Sequence, residues 1–153
     1  FKRILRALEV FHLTGRPMSE QNGDFQKSES PYRLAVAGLT MPRELLYARI
    51  EQRVDQMLSN GLVLEVQGLL DAGLDPNAPS LQGLGYKEII AYLTGKQTLE
   101  QAVELIKQNT RRFAKRQLTW FGRDERTVWF DVSGCPEPAL ADRIEVFFKN
   151  ALQ

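Results

Sequence analysis

One long predicted helix ends in the stretch Gln108-Asn109-Thr110-Arg111-Arg112-Phe113-Ala114-Lys115-Arg116-Gln117-Leu118-Thr119-Trp120-Phe121. The helix is expected to begin near Thr98, because Thr98 followed three residues later by Gln101 fits the capping-box pattern. At about 100° per residue, one narrow face of this helix collects mainly apolar side chains and predicts contact with a core. This apolar stripe consists of Leu99, Ala102, Val103, Ile106, Thr110, Phe113, Gln117, Trp120 and Phe121.

The opposite side of the same helix is positively charged. From Lys107 to Arg123 the sequence has six basic residues and no acidic one. Cations suit the C-terminal end of a helix, but that preference accounts for only one or two of them. Four cations on one arc therefore favour an anionic ligand over a merely solvated surface. This basic arc consists of Arg111, Arg112, Lys115 and Arg116.

Composition is that of an ordinary globular protein of one domain. The 153 residues are 43% hydrophobic and 25% charged, and the length suffices for a buried core. The net charge is only +1, so attraction to nucleic acid would have to come from local clustering of charge. The single cysteine, Cys135, excludes an internal disulfide, and the single histidine, His12, excludes a histidine-rich metal site and a Ser-His triad.

The beginning of the chain is unusual. It starts on Phe1-Lys2-Arg3 instead of Met, inside a stretch whose apolar stripe already predicts a helix, so we expect the C-terminal piece of a longer protein. No apolar run approaches the roughly 18 residues of a membrane span, and no signal peptide is seen. A cytoplasmic protein without a membrane partner is therefore expected.

Two short strands among several helices predict the α/β class. The small apolar run of the first strand is typical of a sheet covered on both faces. A polar, aperiodic stretch after the first helix predicts a loop. In chain order, the predicted elements are a helix ending at Gly15, a loop over 19–30, a strand over 32–39, helices over 42–59 and 62–72, a short helix ended by Gly95, the long helix, a strand over 127–132 and a terminal helix around 140–151.

The stretch Gly83-Leu84-Gly85-Tyr86-Lys87 precedes the short helix. Two glycines at a helix start permit close backbone approach to a ligand, although a plain loop-to-helix turn is the commoner meaning of such a pattern. The sequence has no phosphate-binding loop, no nucleophile elbow and no acid pair with metal-ligand spacing. A basic helix flanked by aromatics suits a polyanion such as RNA, whose phosphates bind Arg and Lys and whose bases stack on planar groups.

Three segments together resemble the C-terminal half of the tRNA dimethylallyltransferases, also called tRNA isopentenylpyrophosphate transferases. The resemblance extends over nearly the whole chain up to Phe121, in the family's order, and the third segment is specific by itself. The segments are Lys2-Arg3-x-x-Arg6-Ala7-Leu8-Glu9-Val10 with Thr14-Gly15-Arg16-Pro17-Met18-Ser19, then Gly83-Leu84-Gly85-Tyr86-Lys87-Glu88, then Thr110 through Phe121.

The resemblance implies an enzyme with a P-loop NTPase-like α/β core, to which this segment contributes mostly helices and about two strands. Such an enzyme transfers a dimethylallyl group from dimethylallyl diphosphate to N6 of the adenine next to the 3′ side of the tRNA anticodon. The family's phosphate loop, its Mg²⁺-linked threonine and its general base belong to the N-terminal half. No catalytic or metal-binding residue is therefore assigned here, Mg²⁺ is expected in the other half, and this chain alone is expected to be inactive.

The resemblance also divides the chain and marks tRNA-binding residues. Residues 1–18 correspond to the last helix of an inserted tRNA-contacting region, 19–31 to a loop, and 32–153 to the C-terminal half of the core. The expected partners are the tRNA anticodon stem-loop and dimethylallyl diphosphate, with the protein a monomer. The candidates that lie in matching tRNA-contacting segments are Lys2, Arg3, Arg6, Gln82, Gly83, Leu84, Gly85, Tyr86 and Lys87. The basic arc of Arg111, Arg112, Lys115 and Arg116 is a further candidate, either for anticodon-stem phosphates or for the pyrophosphate side of the substrate channel.

Two residues of the apolar stripe, Gln117 and Trp120, could contact either substrate or protein. Gln117 fits either a polar group in a substrate channel that bonds a base, or a group that bonds the backbone. Trp120 is predicted to be core and not a base-stacking platform, because it lies on the stripe.

Two other functions compete with the transferase interpretation. One is a non-catalytic RNA-binding helical module that uses the same surface. The other is a purely structural helical domain whose basic arc pairs with acids elsewhere in the protein. A steep fall of RNA affinity with salt would separate RNA binding from the structural role.

Overall fold

The structure is a computed structural model that describes residues 1–21, 32–134 and 136–152. Cys135 and most of the predicted loop over 19–31 lie outside the described residues. The described elements are α1 (Lys2–Thr14), α2 (Met18–Gln21), β1 (Val36–Thr40), α3 (Arg43–Ser59), α4 (Leu62–Asp71), a 3₁₀ turn (Pro79–Gln82), α5 (Tyr86–Leu93), α6 (Leu99–Phe121), β2 (Thr127–Asp131) and α7 (Glu137–Leu152).

The predicted helix ends are explained by local hydrogen bonding. Thr98 Oγ1 accepts from the Gln101 backbone N–H at 3.3 Å, and Gln101 Oε1 accepts from the Thr98 N–H at 3.0 Å, so the predicted capping box of α6 is confirmed. Helix α1 ends at Gly15, whose φ of 67° is the left-handed conformation that glycine adopts without strain. Residues Met18–Gln21 form one further helical turn, so the predicted loop is wrong for residues 19–21.

The core lies between α3, α4, α5 and the first half of α6. Its most deeply buried side chains are aliphatic and come from all four helices. Since each helix has a polar opposite side, only their shared apolar faces can meet. The buried cluster consists of Val54, Leu62, Val66, Leu81, Ile89, Ile90, Ala102 and Ile106.

Strands β1 and β2 pair in parallel, with Gly38 opposite Trp129. A Cβ atom at Gly38 would lie 2.7 Å from Trp129 Cε3, so only glycine allows the indole to cross β1 at that point. The sheet is not covered on both faces by the described residues, since Leu39 is 57% exposed and Val128 is 43% exposed. The α/β class is confirmed, but the prediction of a fully covered sheet is not met within the described part of the chain.

The last two turns of α6 differ from the prediction. The apolar stripe is buried as far as Ile106, and beyond it the stripe reaches solvent. Trp120 is 70% exposed, so the prediction that it belongs to the core is wrong for the described structure. The periodicity correctly placed these side chains on one face, but no described element covers the end of that face.

Candidate RNA-binding surface

Helix α6 uses two of its cations to hold α3. Lys107 Nζ lies 2.7 Å from Asp55 Oδ1, and Arg111 Nη1 lies 2.7 Å from Glu51 Oε1. The acids are four residues apart on α3 and the cations four apart on α6, so each pair shares one face of its helix. Arg111 is therefore paired with an acid of the protein itself. The ion pair makes Arg111 less available to a phosphate, and its contact with tRNA stays a prediction.

The other three members of the basic arc are exposed to solvent, and we call them the exposed cations: Arg112, Lys115 and Arg116. None of the three forms an ion pair with a residue of the described ranges. The Arg116 guanidinium lies 5.9 Å from the centre of the Phe113 ring, a contact that holds the cation without neutralising it. These side chains present positive charge that an anionic backbone can reach.

An aromatic cluster follows the exposed cations. The Trp120 and Phe121 rings meet edge to face, with centroids 5.0 Å apart. Their exposed fractions are 70% and 43%, so both retain surface that another planar group could contact. Cations and exposed aromatics on one helix are the side-chain types that bind phosphates and unstacked bases.

Gln117 lines a mainly apolar cavity of about 330 Å³ between α6 and the sheet. Leu118 and Phe121 line it from α6, and Gly38 and Trp129 line it from the strands. The structure therefore places Gln117 beside an open cavity, and its role in a substrate channel stays a prediction. It gives this side chain no hydrogen bond within the described residues that would choose between its two predicted roles.

Two polar side chains of the stretch from Gln82 to Lys87 form hydrogen bonds within the protein. Gln82 Nε2 donates to the Pro76 carbonyl oxygen at 2.9 Å, and the Tyr86 hydroxyl donates to Glu65 Oε1. The hydrogen bond to the Glu65 carboxylate raises the pKa of Tyr86 above its ordinary value of 10.0. Tyr86 thus holds the start of α5 to α4, whereas Gln82 bonds the preceding turn. Lys87, whose side chain is 43% exposed, is the cation of this stretch.

The backbone of the loop is shaped by its two glycines. Gly83 is extended and Gly85 has a φ of 97°, a conformation that a side chain would strain. Leu84 between them is 36% exposed. The stretch that we call the Gly83–Lys87 loop therefore presents its bend at the N-terminus of α5.

Glu88 is a residue of this surface that the sequence did not single out. Its carboxylate is only 4% exposed, and Oε2 accepts from the Gly85 backbone N–H at 2.9 Å. Glu88 is the third residue of α5, the position from which a capping-box glutamate bonds the residue before the helix. The sequence signature of a capping box has Ser or Thr at the cap position, and here that position is glycine.

The three basic candidates of α1 lie on a helix without buried residues. Lys2, Arg3 and Arg6 are exposed, and Arg6 Nη1 lies 3.4 Å from Glu9 Oε2. The principal contact of α1 is with α2, and it makes no extensive contact with α5 or α6 in the described structure. These cations therefore lie on an element that does not pack closely on α5 or α6.

Within residues 1–21, 32–134 and 136–152, no group of three or more His, Cys, Asp and Glu side chains could hold a metal ion. In the same residues, no helix combines the length and the apolar character needed to cross a bilayer.

Known proteins match the chain along most of its length. The tRNA dimethylallyltransferase of Pelotomaculum thermopropionicum is 52% identical over 144 residues, which cover 94% of this chain and 46% of that protein. The corresponding protein of Natranaerobius thermophilus is 49% identical over 153 residues, covering 99% of this chain and 46% of that protein. The chain thus spans about half the length of the curated relatives that it matches.

Solved structures agree with these relatives. The full-length tRNA isopentenylpyrophosphate transferase of Bacillus halodurans superposes with a TM-score of 0.78 at 42% identity, covering 99% of this chain and 45% of that one. A eukaryotic dimethylallyltransferase acting on tRNA gives a TM-score of 0.76 at 28% identity over 97% of this chain and 40% of that one. This agreement supports the P-loop NTPase-like assignment made from the sequence.

The family model described as IPP transferase matches residues 1–124, which include α1, the Gly83–Lys87 loop and the whole of α6. The resemblance inferred from the three sequence segments is confirmed. The chain belongs to the IPP transferase family.

Proposed function

We propose that this chain is the tRNA-engaging part of a tRNA dimethylallyltransferase. The proposed reaction transfers a dimethylallyl group from dimethylallyl diphosphate to N6 of the adenine next to the 3′ side of the anticodon. The observation that carries the proposal is the match, at about 50% identity, to proteins named tRNA dimethylallyltransferase over nearly the whole of this chain.

The exposed cations support this proposal chemically. Arg112, Lys115 and Arg116 offer charge to a phosphate backbone, and such contacts fix the register of an RNA on a protein. The same cations would suit the diphosphate side of a channel, where negative charge develops as the carbon–oxygen bond to the leaving group breaks. We assign these residues to binding and orientation and assign no proton transfer to any described residue.

The finer features of the proposal come from the family resemblance. They are the anticodon stem-loop as the RNA element, Mg²⁺ with the diphosphate, a cytoplasmic location and a monomeric state. The resemblance assigns Mg²⁺ to the N-terminal half of the family's proteins, so no described residue is assigned to it. A target adenine within a loop would have to leave its stack before N6 could react, which requires an RNA held firmly on both sides.

The experiment is a transfer assay with the complete product of the gene beside the 153-residue chain. Each is incubated with labelled dimethylallyl diphosphate, Mg²⁺ and unmodified tRNA, and label in the tRNA is counted. We expect label with the complete product and none with the chain alone. Salt-sensitive tRNA binding without label in either sample would instead identify an RNA-binding module.

A further inference from the structure

Glu88 connects the Gly83–Lys87 loop to α6 through a buried carboxylate. Its Oε2 accepts from the Gly85 backbone N–H and its Oε1 accepts from Asn109 Nδ2, each at 2.9 Å. Buried carboxylates are rare unless hydrogen bonds satisfy their oxygens, and here both oxygens have a donor. One side chain therefore ties the bend of the loop to a fixed point on the long helix.

The position of Asn109 on α6 relates the Gly83–Lys87 loop to the exposed cations of that helix. Asn109 precedes Arg112 by three residues and Arg116 by seven, so all three lie along the same side of α6. The bond from Asn109 to Glu88 thus fixes the loop relative to the side of α6 that carries two of the exposed cations.

The other end of the connection is the bend of the loop. Gly85 has φ 97° and ψ −56°, a conformation that glycine adopts readily and that a residue with a side chain rarely adopts. Glu88 bonds the N–H of that same residue, and its Oε1 also lies 3.7 Å from Lys87 Nζ. The carboxylate thus sets both the bend of the backbone and the direction of the exposed lysine beside it.

We infer that Glu88 is a positioning residue for tRNA binding, which holds the Gly83–Lys87 loop and the cationic side of α6 in one arrangement that the RNA backbone contacts. The inference rests on the proposed function and adds a residue whose side chain does not itself reach the RNA.

The test compares steady-state kinetics of Glu88→Ala and Glu88→Gln in the complete gene product. Glu88→Ala leaves the Gly85 N–H and Asn109 without their buried partner, so we expect the KM for tRNA to rise about tenfold. The KM for dimethylallyl diphosphate and kcat at saturating tRNA should stay unchanged. Glu88→Gln should remain within about twofold of the wild-type KM, because an amide oxygen still accepts from Gly85 and its NH₂ bonds Asn109 once that amide turns over.

Val66→Ala is the matched control for a general loss of stability. Val66 is fully buried in α4 and takes no part in the loop, so this variant should lower the melting temperature without a selective change in the KM for tRNA. A merely structural role of Glu88 predicts that Glu88→Ala behaves like Val66→Ala. That outcome, or an unchanged KM for tRNA, would overturn the inference.

Two further outcomes keep the inference separate from the proposed function. If Glu88→Ala does not fold, Asn109→Ala removes one of the two bonds and should raise the KM for tRNA severalfold, and an unchanged value would overturn the inference. If the wild type transfers no label, the proposed function fails. The Kd for an anticodon stem-loop then decides the role of Glu88: about tenfold weaker binding by Glu88→Ala supports it, and equal binding overturns it.

Discussion

Arg111 and Arg112 are adjacent cations with opposite surroundings, so their alanine variants should give opposite results. Arg111 is 26% exposed and its guanidinium lies 2.7 Å from Glu51 Oε1. Arg112 is exposed and forms no ion pair with a residue of the described ranges. Replacement of Arg111 removes an ion pair within the protein, whereas replacement of Arg112 removes a charge that is available to a phosphate.

The expected magnitudes follow from this difference. A cation that neutralises one phosphate contributes roughly 0.7–0.9 to the slope of log K against log salt concentration. Arg112→Ala should therefore weaken RNA binding and make that slope shallower by about one. The Arg111–Glu51 pair is partly exposed, so Arg111→Ala should lower the free energy of unfolding by about 0.2–1 kcal/mol and leave the slope unchanged.

The assay measures the Kd of both variants for an anticodon stem-loop RNA by fluorescence anisotropy, over a salt series of about 50–200 mM. Thermal unfolding of the same samples supplies the change in stability. The assignment of the exposed cations would be refuted if both variants changed the slope equally, or if only Arg111→Ala did.

Two further predictions concern the aromatic side chains of this surface. Trp120→Ala should change the free energy of unfolding by no more than about 0.5 kcal/mol, whereas Ile89→Ala in the core should lower it by about 2–5 kcal/mol, as measured by denaturant titration. Equal losses would place Trp120 in a core. The Tyr86 hydroxyl should titrate above pH 10.0 in an absorbance titration, and Glu65→Gln should return its pKa towards that value. Because the pKa of Tyr86 is raised in the folded state, the Tyr86–Glu65 hydrogen bond stabilises the fold below pH 10.0, and its contribution is lost as the pH rises through the folded-state pKa. An unaltered Tyr86 titration in Glu65→Gln would contradict the assignment of the raised pKa to this bond.

Local patterns in the sequence predicted the elements well. The capping box at Thr98 and the glycine at position 15 mark helix ends because each satisfies backbone groups within a few residues. The spacing of apolar residues likewise predicted the helices from α3 onward and the two strands, although β1 runs over Val36–Thr40 and not over 32–39. Helix caps and apolar spacing depend on residues close together in the chain, and so they can be predicted from the sequence.

Contacts between distant residues were harder to predict. Arg111 was grouped with the exposed cations, although Glu51 lies 60 residues earlier in the chain and pairs with it. The matched four-residue spacing of Asp55 from Glu51 and of Arg111 from Lys107 is the signal that could have found both ion pairs. Helical periodicity gives the face of a residue but not the element that this face meets.

The surroundings of Trp120 and of the buried acid Glu88 also depend on distant residues, which helical periodicity does not predict. Periodicity placed Trp120 on the apolar face, but burial depends on whether another element covers that end of α6, and no described element does. In the sequence, Glu88 is a charged residue at the start of a predicted helix. The hydrogen bond that satisfies its buried carboxylate comes from Asn109, which lies 21 residues away and reaches it only when α5 and α6 pack together.

Lysine reactivity in the presence of RNA would test most directly whether the Gly83–Lys87 loop and the exposed cations form one RNA-binding surface. The complete gene product is acetylated briefly with and without a saturating anticodon stem-loop, and each lysine is followed by mass spectrometry. Lys149 is the control, because its side chain is 65% exposed on α7. We predict that Lys87 and Lys115 are both protected severalfold by the RNA while Lys149 stays reactive. Unchanged reactivity at Lys87 and Lys115, or equal protection of all three lysines, would contradict the surface described for this chain.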